Sequence, residues 1–287
     1  MLLPPFVAPR LKLQRARRHI DELEQEIGSF LARQPFRIVI EQPEWWKESW
    51  PIHAWTARLR ELIPLELSAI IGDAVHNLRS VLDLLAGDLV RINGKSTKGV
   101  SFPFSADADD LAHQIKEKNL HRAGPDIVRI IKSLKPYRGG NLALRALHDL
   151  DVQDKHQALI PVANVVDAPG GTLIFGGHPN KIPDWQSRVT HDGQVIVMMP
   201  AVGNLKVGDE IASNFSLTFA ETEPMAGREV VEALKELAQL VDGIVNTFKA
   251  HCERSDDEII KMVSASAGPP GTPGRVLIIG SKAAHNH

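Results

Sequence analysis

Residues 65–90 read LELSAIIGDAVHNLRSVLDLLAGDLV, and this stretch decides the fold. Its apolar side chains recur at spacings of three and four, which is the pattern of a helix that buries one face. This apolar stripe consists of Leu67, Ile71, Ala74, Leu78, Leu82, Leu85 and Leu89. Asn93-Gly94, just beyond the stretch, is typical of a helix C-terminus. The pattern therefore predicts a long helix from Pro64 to about Ile92.

The helix face opposite this stripe carries short polar groups and glycine. It consists of Asp73, His76, Ser80, Asp83 and Gly87. Solvated helix faces usually carry Lys, Glu, Arg and Gln, whereas Asp and Ser lower helix propensity and each Gly costs about 1 kcal/mol relative to Ala. We therefore expect another backbone or a ligand to approach the helix closely near Gly72 and Gly87. A structural polar network, a functional site and plain solvent exposure are the competing interpretations.

A second polar segment spans residues 148–156 and reads HDLDVQDKH. Its ionisable residues are His148, Asp149, Asp151, Asp154, Lys155 and His156. On one straight helix, His148, Asp151 and Lys155 share a face, whereas Asp149 and His156 lie on a different flank. Imidazole and carboxylate groups together suit metal binding or acid–base catalysis. The alternative is a helix C-terminus whose His and Lys side chains complement the helix dipole.

The rest of the sequence predicts an α+β fold, with a helical bundle around the long central helix and an antiparallel β-sheet built from the second half and an N-terminal hairpin. Further helices are predicted at Pro9–Arg33, Asp107–Lys118, Pro125–Leu134, Asn141–Asp154 and Ala226–His251. Strands are predicted at Phe36–Glu41, Ile52–Leu59, Ala158–Val166, Gly171–Phe175, Gln194–Met199 and Ile211–Phe219. Because long helices bracket the strands, we expect a single domain over residues 1–254, followed by a flexible Gly- and Pro-containing tail over 255–287.

The composition favours a cytoplasmic protein. The 287 residues carry 33 Lys and Arg against 35 Asp and Glu, and this near-neutral balance gives no global attraction to nucleic acid or an acidic membrane. The single cysteine, Cys252, cannot form an internal disulfide. The first residues lack the pattern of a signal peptide, and no stretch approaches the ~18 apolar residues of a membrane span. The predicted location is therefore the cytoplasm, without a membrane partner.

Two other regions of the chain suggest different functions. The first half of the N-terminal helix is basic, which favours either a solvated face with i,i+4 ion pairs or a contact with nucleic acid. Its basic residues are Lys12, Arg15, Arg17 and Arg18. The segment between the first two strands holds Trp45, Trp46 and Trp50. These tryptophans indicate either a contact surface or a cap on the core.

Three segments resemble a widespread, uncharacterised bacterial protein family. They are IIGDAVHNLRSVLDLLA at 70–86, Phe102-Pro103-Phe104, and LHDLDVQDKHQALIPV at 147–162. The similarity covers about Leu11–Phe248 and implies a shared site or core, but no reaction. The long helix also loosely resembles HEPN-type helical domains, which pack as dimers. Ribonucleases of that type carry an Arg and a His at a short, defined spacing that no Arg–His pair here has, so the resemblance implies binding rather than RNA cleavage.

The leading hypothesis from the sequence is a hydrolase-type enzyme with a helix-borne Asp/His site, with or without a divalent metal. The candidate catalytic residues are Asp73, His76, Asp83, His148 and Asp151. The candidate metal ligands are Asp73, His76, His148, Asp151, Asp154 and His156. The expected partners are a small molecule and a second copy of the chain. The alternatives are a non-enzymatic, HEPN-like dimer that binds nucleic acid, and an interaction module built on the Trp-rich hairpin.

Overall fold

The computed structural model describes residues 3–47, 51–156, 158–159, 161–168, 172–175, 178–181, 185–189, 191–201, 206–211, 213–220 and 225–266, with side chains described outside 164–188 and 255–266. The chain divides into two compact units, Met1–Val245 and Asn246–His287. The first unit combines helices with antiparallel sheets, so the predicted α+β class is confirmed.

The helices lie close to their predicted positions. They are α1 (Val7–Ala32), α2 (Glu66–Ile92), α3 (Leu111–Glu117), α4 (Pro125–Leu134), α5 (Leu142–Asp154) and α6 (Val230–Ser266), with a short 3₁₀ helix at Leu120–Ala123 between α3 and α4. In the described residues, no helix is long and apolar enough to cross a membrane.

Helices α1 and α2 pack against each other, and this pair forms the centre of the first unit. Every residue of the predicted apolar stripe of α2 is buried. A row of apolar residues along α1, from Leu13 to Phe30, is buried as well. A buried amide joins the two helices, because Asn77 accepts a hydrogen bond from Lys12 Nζ at 3.0 Å and donates to the Asp73 carbonyl at 2.7 Å. Because the apolar stripe of α2 and the apolar row of α1 are both buried, the polar face of α2 points away from α1.

The strands form antiparallel pairs in three sheets. They are β1 (Phe36–Glu41), β2 (Ile52–Leu59), β3 (Pro161–Ala168), β4 (Thr172–Phe175), β5 (His178–Lys181), β6 (Trp185–Val189), β7 (Gln194–Pro200), β8 (Glu210–Ile211) and β9 (Asn214–Phe219). The predicted hairpin of β1 and β2 pairs Phe36 with Leu59, and it is extended into the sheet order β7-β2-β1-β8. The other sheets have the orders β6-β3-β9 and β4-β5.

Several predicted boundaries are wrong for identifiable reasons. The predicted strand Ile211–Phe219 is two strands in different sheets, because β8 pairs with β1 whereas β9 pairs with β3. Helix α3 begins only at Leu111, since the Asp107 carboxylate accepts the backbone N–H groups of Asp109 and Asp110 in a turn that precedes it. Strands β5 and β6 and the 3₁₀ helix were not predicted.

The C-terminal helix is longer than predicted, and it forms ion pairs with α1. Helix α6 continues to Ser266, past the predicted end at His251, and the Gly- and Pro-rich residues 267–287 lie outside the described part of the chain. Arg15, Arg17 and Arg18 of α1 are exposed, as on a solvated face, and Arg17 pairs with another helix, because its Nη2 lies 2.7 Å from Asp242 Oδ2. Lys235 of α6 likewise pairs with Glu24 of α1 at 2.8 Å.

Candidate functional site

The two polar segments predicted from the sequence face each other across α2 and α5. Their contacts advance in opposite directions along the two helices: Asp154 lies against Gly72, and Asp151 lies against His76, one turn further along α2. The two helices are therefore antiparallel at this point. The condition on which the sequence hypothesis depended, that residues 72–83 and 148–156 meet, is fulfilled.

Gly72 allows this close packing. A Cβ atom at position 72 would lie 2.7 Å from Asp154 Cγ, which is closer than real side chains approach each other. The group that approaches this glycine closely is thus a carboxylate side chain, and not the backbone or ligand that the sequence led us to expect. At Gly87, no atom of a neighbouring described element lies within 4 Å of the position that a Cβ would take, so the approach of a ligand there stays a prediction.

An imidazole paired with a buried carboxylate occupies the centre of the contact. His76 Nδ1 lies 3.2 Å from Asp151 Oδ1, and Lys155 Nζ donates to Asp151 Oδ2 at 2.5 Å. Asp151 is 3% exposed, whereas the His76 side chain is 54% exposed. On the other side of the ring, Nε2 lies 3.5 Å from the Ser80 hydroxyl. The buried carboxylate thus fixes one ring nitrogen and leaves the other near the surface.

Two further carboxylates surround this pair. The pKa of Asp154 is raised above its ordinary value, first by burial of the carboxyl group and then by the negative charges of Asp151 and Asp73. His76 and Lys155 act in the opposite direction and lower the pKa of Asp154. Perturbed carboxyl groups of this kind are concentrated in functional sites. Asp73 itself lies on the exposed surface of α2, so the carboxylates give the surroundings of His76 a negative potential.

Asp83 holds the loop that carries the Phe102-Pro103-Phe104 motif. Its Oδ1 accepts a hydrogen bond from the backbone N–H of Phe102 at 2.8 Å. Its Oδ2 lies 2.7 Å from Arg79 Nη1, an ion pair without hydrogen-bond alignment. The guanidinium carbon of Arg79 lies 4.7 Å from the centroid of the Phe104 ring. Both oxygens of Asp83 are therefore engaged in anchoring this loop on α2.

We expect Asp83→Ala to lower the free energy of unfolding by about 1–2 kcal/mol, because it leaves the partly buried N–H of Phe102 without its acceptor. Asp83→Asn keeps a side-chain oxygen for that N–H and should recover more than half of the loss. Urea unfolding of the two variants provides the measurement. Equal stabilities of Asp83→Ala and the wild type would show that the loop is held by its apolar contacts alone.

His148 belongs to this second cluster rather than to the His76 pair. Its ring stacks on Phe104 with a centroid distance of 4.5 Å and an interplanar angle of 11°. Burial, followed by the positive charges of Arg79 and Arg145, lowers the pKa of His148 from 6.5 to about 4. Arg145 in turn forms a bidentate pair with Asp149, at 2.7 and 3.1 Å. His148 is therefore a neutral, stacked side chain at physiological pH.

The lowered pKa of His148 predicts a loss of stability in mild acid. In the unfolded chain the imidazole takes up a proton near pH 6.5, whereas in the folded protein it does so only near pH 4. The stability that neutral His148 contributes is thus present above pH 6.5 and is lost as the pH falls to 4. Because the ring is only partly buried, we expect a loss of about 1–2 kcal/mol. His148→Phe, which preserves the stacking on Phe104, should remove this part of the pH dependence of stability in denaturant titrations. A variant whose stability depends on pH as that of the wild type does would contradict the prediction.

The remaining predicted site residue, His156, is not brought to either cluster. It lies exposed just after the end of α5, and its side chain makes no hydrogen bond or ion pair with another described residue.

Sequence reasoning did not select three groups that the structure places in the clusters. These are Ser80, Arg79 and Lys155. The spacing of four residues that separates Ser80 from His76, and Lys155 from Asp151, was the signal that could have identified two of them.

No protein-family model, curated protein or solved structure matches this chain, so the functional argument depends on the site itself. In the part of the chain that the structure describes, no group of three or more His, Cys, Asp or Glu side chains is arranged to hold a metal ion.

Proposed function

We propose that the protein is a hydrolase in which His76 acts as the general base. The observation that supports this most strongly is the pairing of a half-exposed imidazole with the buried carboxylate of Asp151 at 3.2 Å. Such a pair contributes little to stability where water screens the imidazole, so stability alone does not account for it. Here the carboxylate is buried and the imidazole reaches the surface, as in a base that must meet a substrate.

The proton transfer follows from the geometry of the pair. Because a carboxylate only accepts hydrogen bonds, Nδ1 of His76 carries the proton and Nε2 holds the free lone pair. Nε2 can then take a proton from an attacking nucleophile and later give it to the leaving group. Asp151 holds the ring in that tautomer and stabilises the imidazolium that forms. Lys155 donates a hydrogen bond to the other carboxylate oxygen and so holds Asp151 in its present rotamer.

A divalent cation, which the imidazole and carboxylate donors of the polar segments would suit chemically, would add Lewis-acid chemistry and stays a separate proposal, because the described side chains are not arranged to hold one. Elemental analysis of the purified protein tests this addition. A stoichiometric transition metal that is lost in Asp73→Ala supports it. Full hydrolytic activity in metal-free protein would assign the chemistry to the imidazole–carboxylate pair alone.

The function itself is tested by His76→Gln, assayed with p-nitrophenyl acetate and bis(p-nitrophenyl) phosphate. We expect the variant to lose the hydrolysis that the wild type shows, because glutamine cannot accept and return a proton. His113→Gln is the matched control, since His113 is also a carboxylate-paired helical histidine, 3.3 Å from Asp110, but is 70% exposed and remote in sequence from the polar segments. Equal activity of wild type and His76→Gln would refute the proposal, and unfolding of His76→Gln would favour a structural network.

The Trp-rich hairpin supports a second candidate function, a contact surface for a partner such as a second copy of the chain. The Trp45 side chain is 59% exposed, and its ring lies 6.1 Å from that of Trp46. Trp50 lies outside the described residues. Exposed indoles contribute strongly to interfaces because they bury a large area at small entropic cost. Sedimentation of wild type and Trp45→Ser tests this function: a dimer that dissociates in the variant supports it, and a monomeric wild type contradicts self-association.

A further inference from the structure

Ser80 completes a chain of three interacting side chains. It lies one helical turn after His76 on α2, and its hydroxyl oxygen is 3.5 Å from His76 Nε2. The opposite ring nitrogen of His76 lies 3.2 Å from Asp151. The groups therefore stand in the order hydroxyl, imidazole, buried carboxylate. This order is that of a nucleophile, its base and the group that orients the base.

The contact of Ser80 is unusual for a serine inside a helix. Such serines commonly donate to the backbone carbonyl one turn earlier. Among the described residues, the Ser80 hydroxyl has no such bond, and its partner is the imidazole of His76. A distance of 3.5 Å is long for a hydrogen bond, but nucleophile–base contacts are often long before substrate binds and shorten in the complex. Ser80 is also only half-buried, so a substrate can reach its hydroxyl.

We propose that Ser80 is the nucleophile of the hydrolase and that its substrates are carboxylic esters, an inference that rests on the proposed function of His76. The hydroxyl proton passes to His76 Nε2 as the Ser80 oxygen bonds to the acyl carbon. The ester C–O bond then breaks, and the leaving alkoxide takes the proton from Nε2. Water attacks the acyl-serine with the same base, the serine–acyl bond breaks, and the carboxylic acid and free Ser80 result.

The charges around the nucleophile narrow the substrate class further. Asp73 and Asp154 lie near His76 in addition to its partner Asp151, and Lys155 is the cation that opposes them. An anionic acid group beside the scissile bond would be repelled by this excess of carboxylates. The esters that fit are neutral or carry a cation. Phosphodiesters such as nucleic acid are disfavoured as substrates of the same site.

The inference is tested on the full chain with a fluorophosphonate, which phosphonylates activated serines, and with p-nitrophenyl acetate as substrate. We expect mass spectrometry to locate the label on the peptide that contains Ser80. Ser80→Ala should abolish labelling and reduce ester hydrolysis by about a hundredfold or more. This variant should fold, because alanine is the better helix former at a half-buried position. Ser133→Ala is the control, since Ser133 is an exposed helical serine that bonds to the Ile130 carbonyl.

The outcomes separate this inference from the proposed function. Loss of hydrolysis in both His76→Gln and Ser80→Ala, with label on Ser80 in the wild type, supports both. Loss in His76→Gln with full activity in Ser80→Ala overturns the serine nucleophile, because His76 then activates water directly. Label on another serine, or label on Ser80 that persists in His76→Gln, also overturns it. Full activity in both variants overturns the nucleophile and the hydrolase together.

Discussion

Replacing Asp151 with asparagine should lower the rate of ester hydrolysis by about a hundred- to ten-thousandfold while the protein stays folded. Asparagine has nearly the shape of aspartate, but one of its two terminal groups donates hydrogen bonds instead of accepting them. Lys155 decides which one faces the imidazole. The Lys155 ammonium lies 2.5 Å from one oxygen of Asp151. Because an ammonium only donates hydrogen bonds, the amide oxygen of the asparagine must take the place of that carboxylate oxygen.

The amide NH₂ of the Asp151→Asn variant would then face His76 Nδ1 and donate to it. Nδ1 would become the acceptor, the proton would move to Nε2, and the lone pair needed by a base would be lost. Nitrogen NMR of the imidazole should report this change of tautomer independently of any substrate. Removing Lys155 as well should free the amide to turn over, so Asp151→Asn with Lys155→Ala should regain part of the activity. Wild-type activity in Asp151→Asn would show that Asp151 does not orient His76.

The faces of the helices could be predicted because they depend only on local periodicity. The apolar stripe of α2 from Leu67 to Leu89 is buried throughout, as its spacing of three and four residues required. The strand β1 followed from β-branched and aromatic residues between Pro35 and Pro43, and β2 as its hairpin partner; the bounds of both agree with the prediction. In these cases the same few neighbouring residues determine both the element and its buried side.

The site could be predicted only on the condition that the two polar segments meet. A helical wheel shows on which face of its helix a residue lies, but not which residues of a neighbouring helix lie beside it. His148 and Asp151 share a face of α5, yet Asp151 contacts His76 whereas His148 stacks on Phe104. The difference of about one turn separates a base-orienting carboxylate from a buried, neutral imidazole. That offset is set by the packing of α5 on α2 and on the 102–104 loop, which involves residues distant in sequence.

The glycines show the same limit. Gly72 and Gly87 both interrupt α2, and the sequence treated them alike. Among the described residues, Asp154 of α5 lies close to Gly72, whereas no neighbouring element comes within 4 Å of a Cβ at Gly87. A third glycine, Gly140, leaves space for a turn in which the chain folds back onto the backbone of Lys135.

Gly140→Ala should destabilise the protein by about 2–3 kcal/mol, which is a large effect for a single methyl group. The added Cβ would lie 2.9 Å from both Lys135 Cβ and Tyr137 Cε2, and closer still to the Lys135 carbonyl oxygen. That carbonyl accepts hydrogen bonds from the backbone N–H groups of Tyr137 and Asn141, so it cannot turn away without breaking them. The turn directly precedes Asn141, the N-cap of α5, and its distortion would displace the helix that carries Asp151.

Two other glycines provide controls in which the neighbour can move or is missing. Gly87→Ala should stabilise the protein by about 0.5–1 kcal/mol, because nothing lies within 4 Å of the new methyl group and alanine favours the helix. Gly72→Ala should change stability little, since the obstructing group is the tip of Asp154, whose carboxylate is penalised by burial and can turn towards water. Urea unfolding of the three variants gives the order directly. If Gly140→Ala were as stable as Gly87→Ala, the turn would accommodate the methyl group at no cost in stability, and the position of α5 and of Asp151 would not depend on a glycine at position 140.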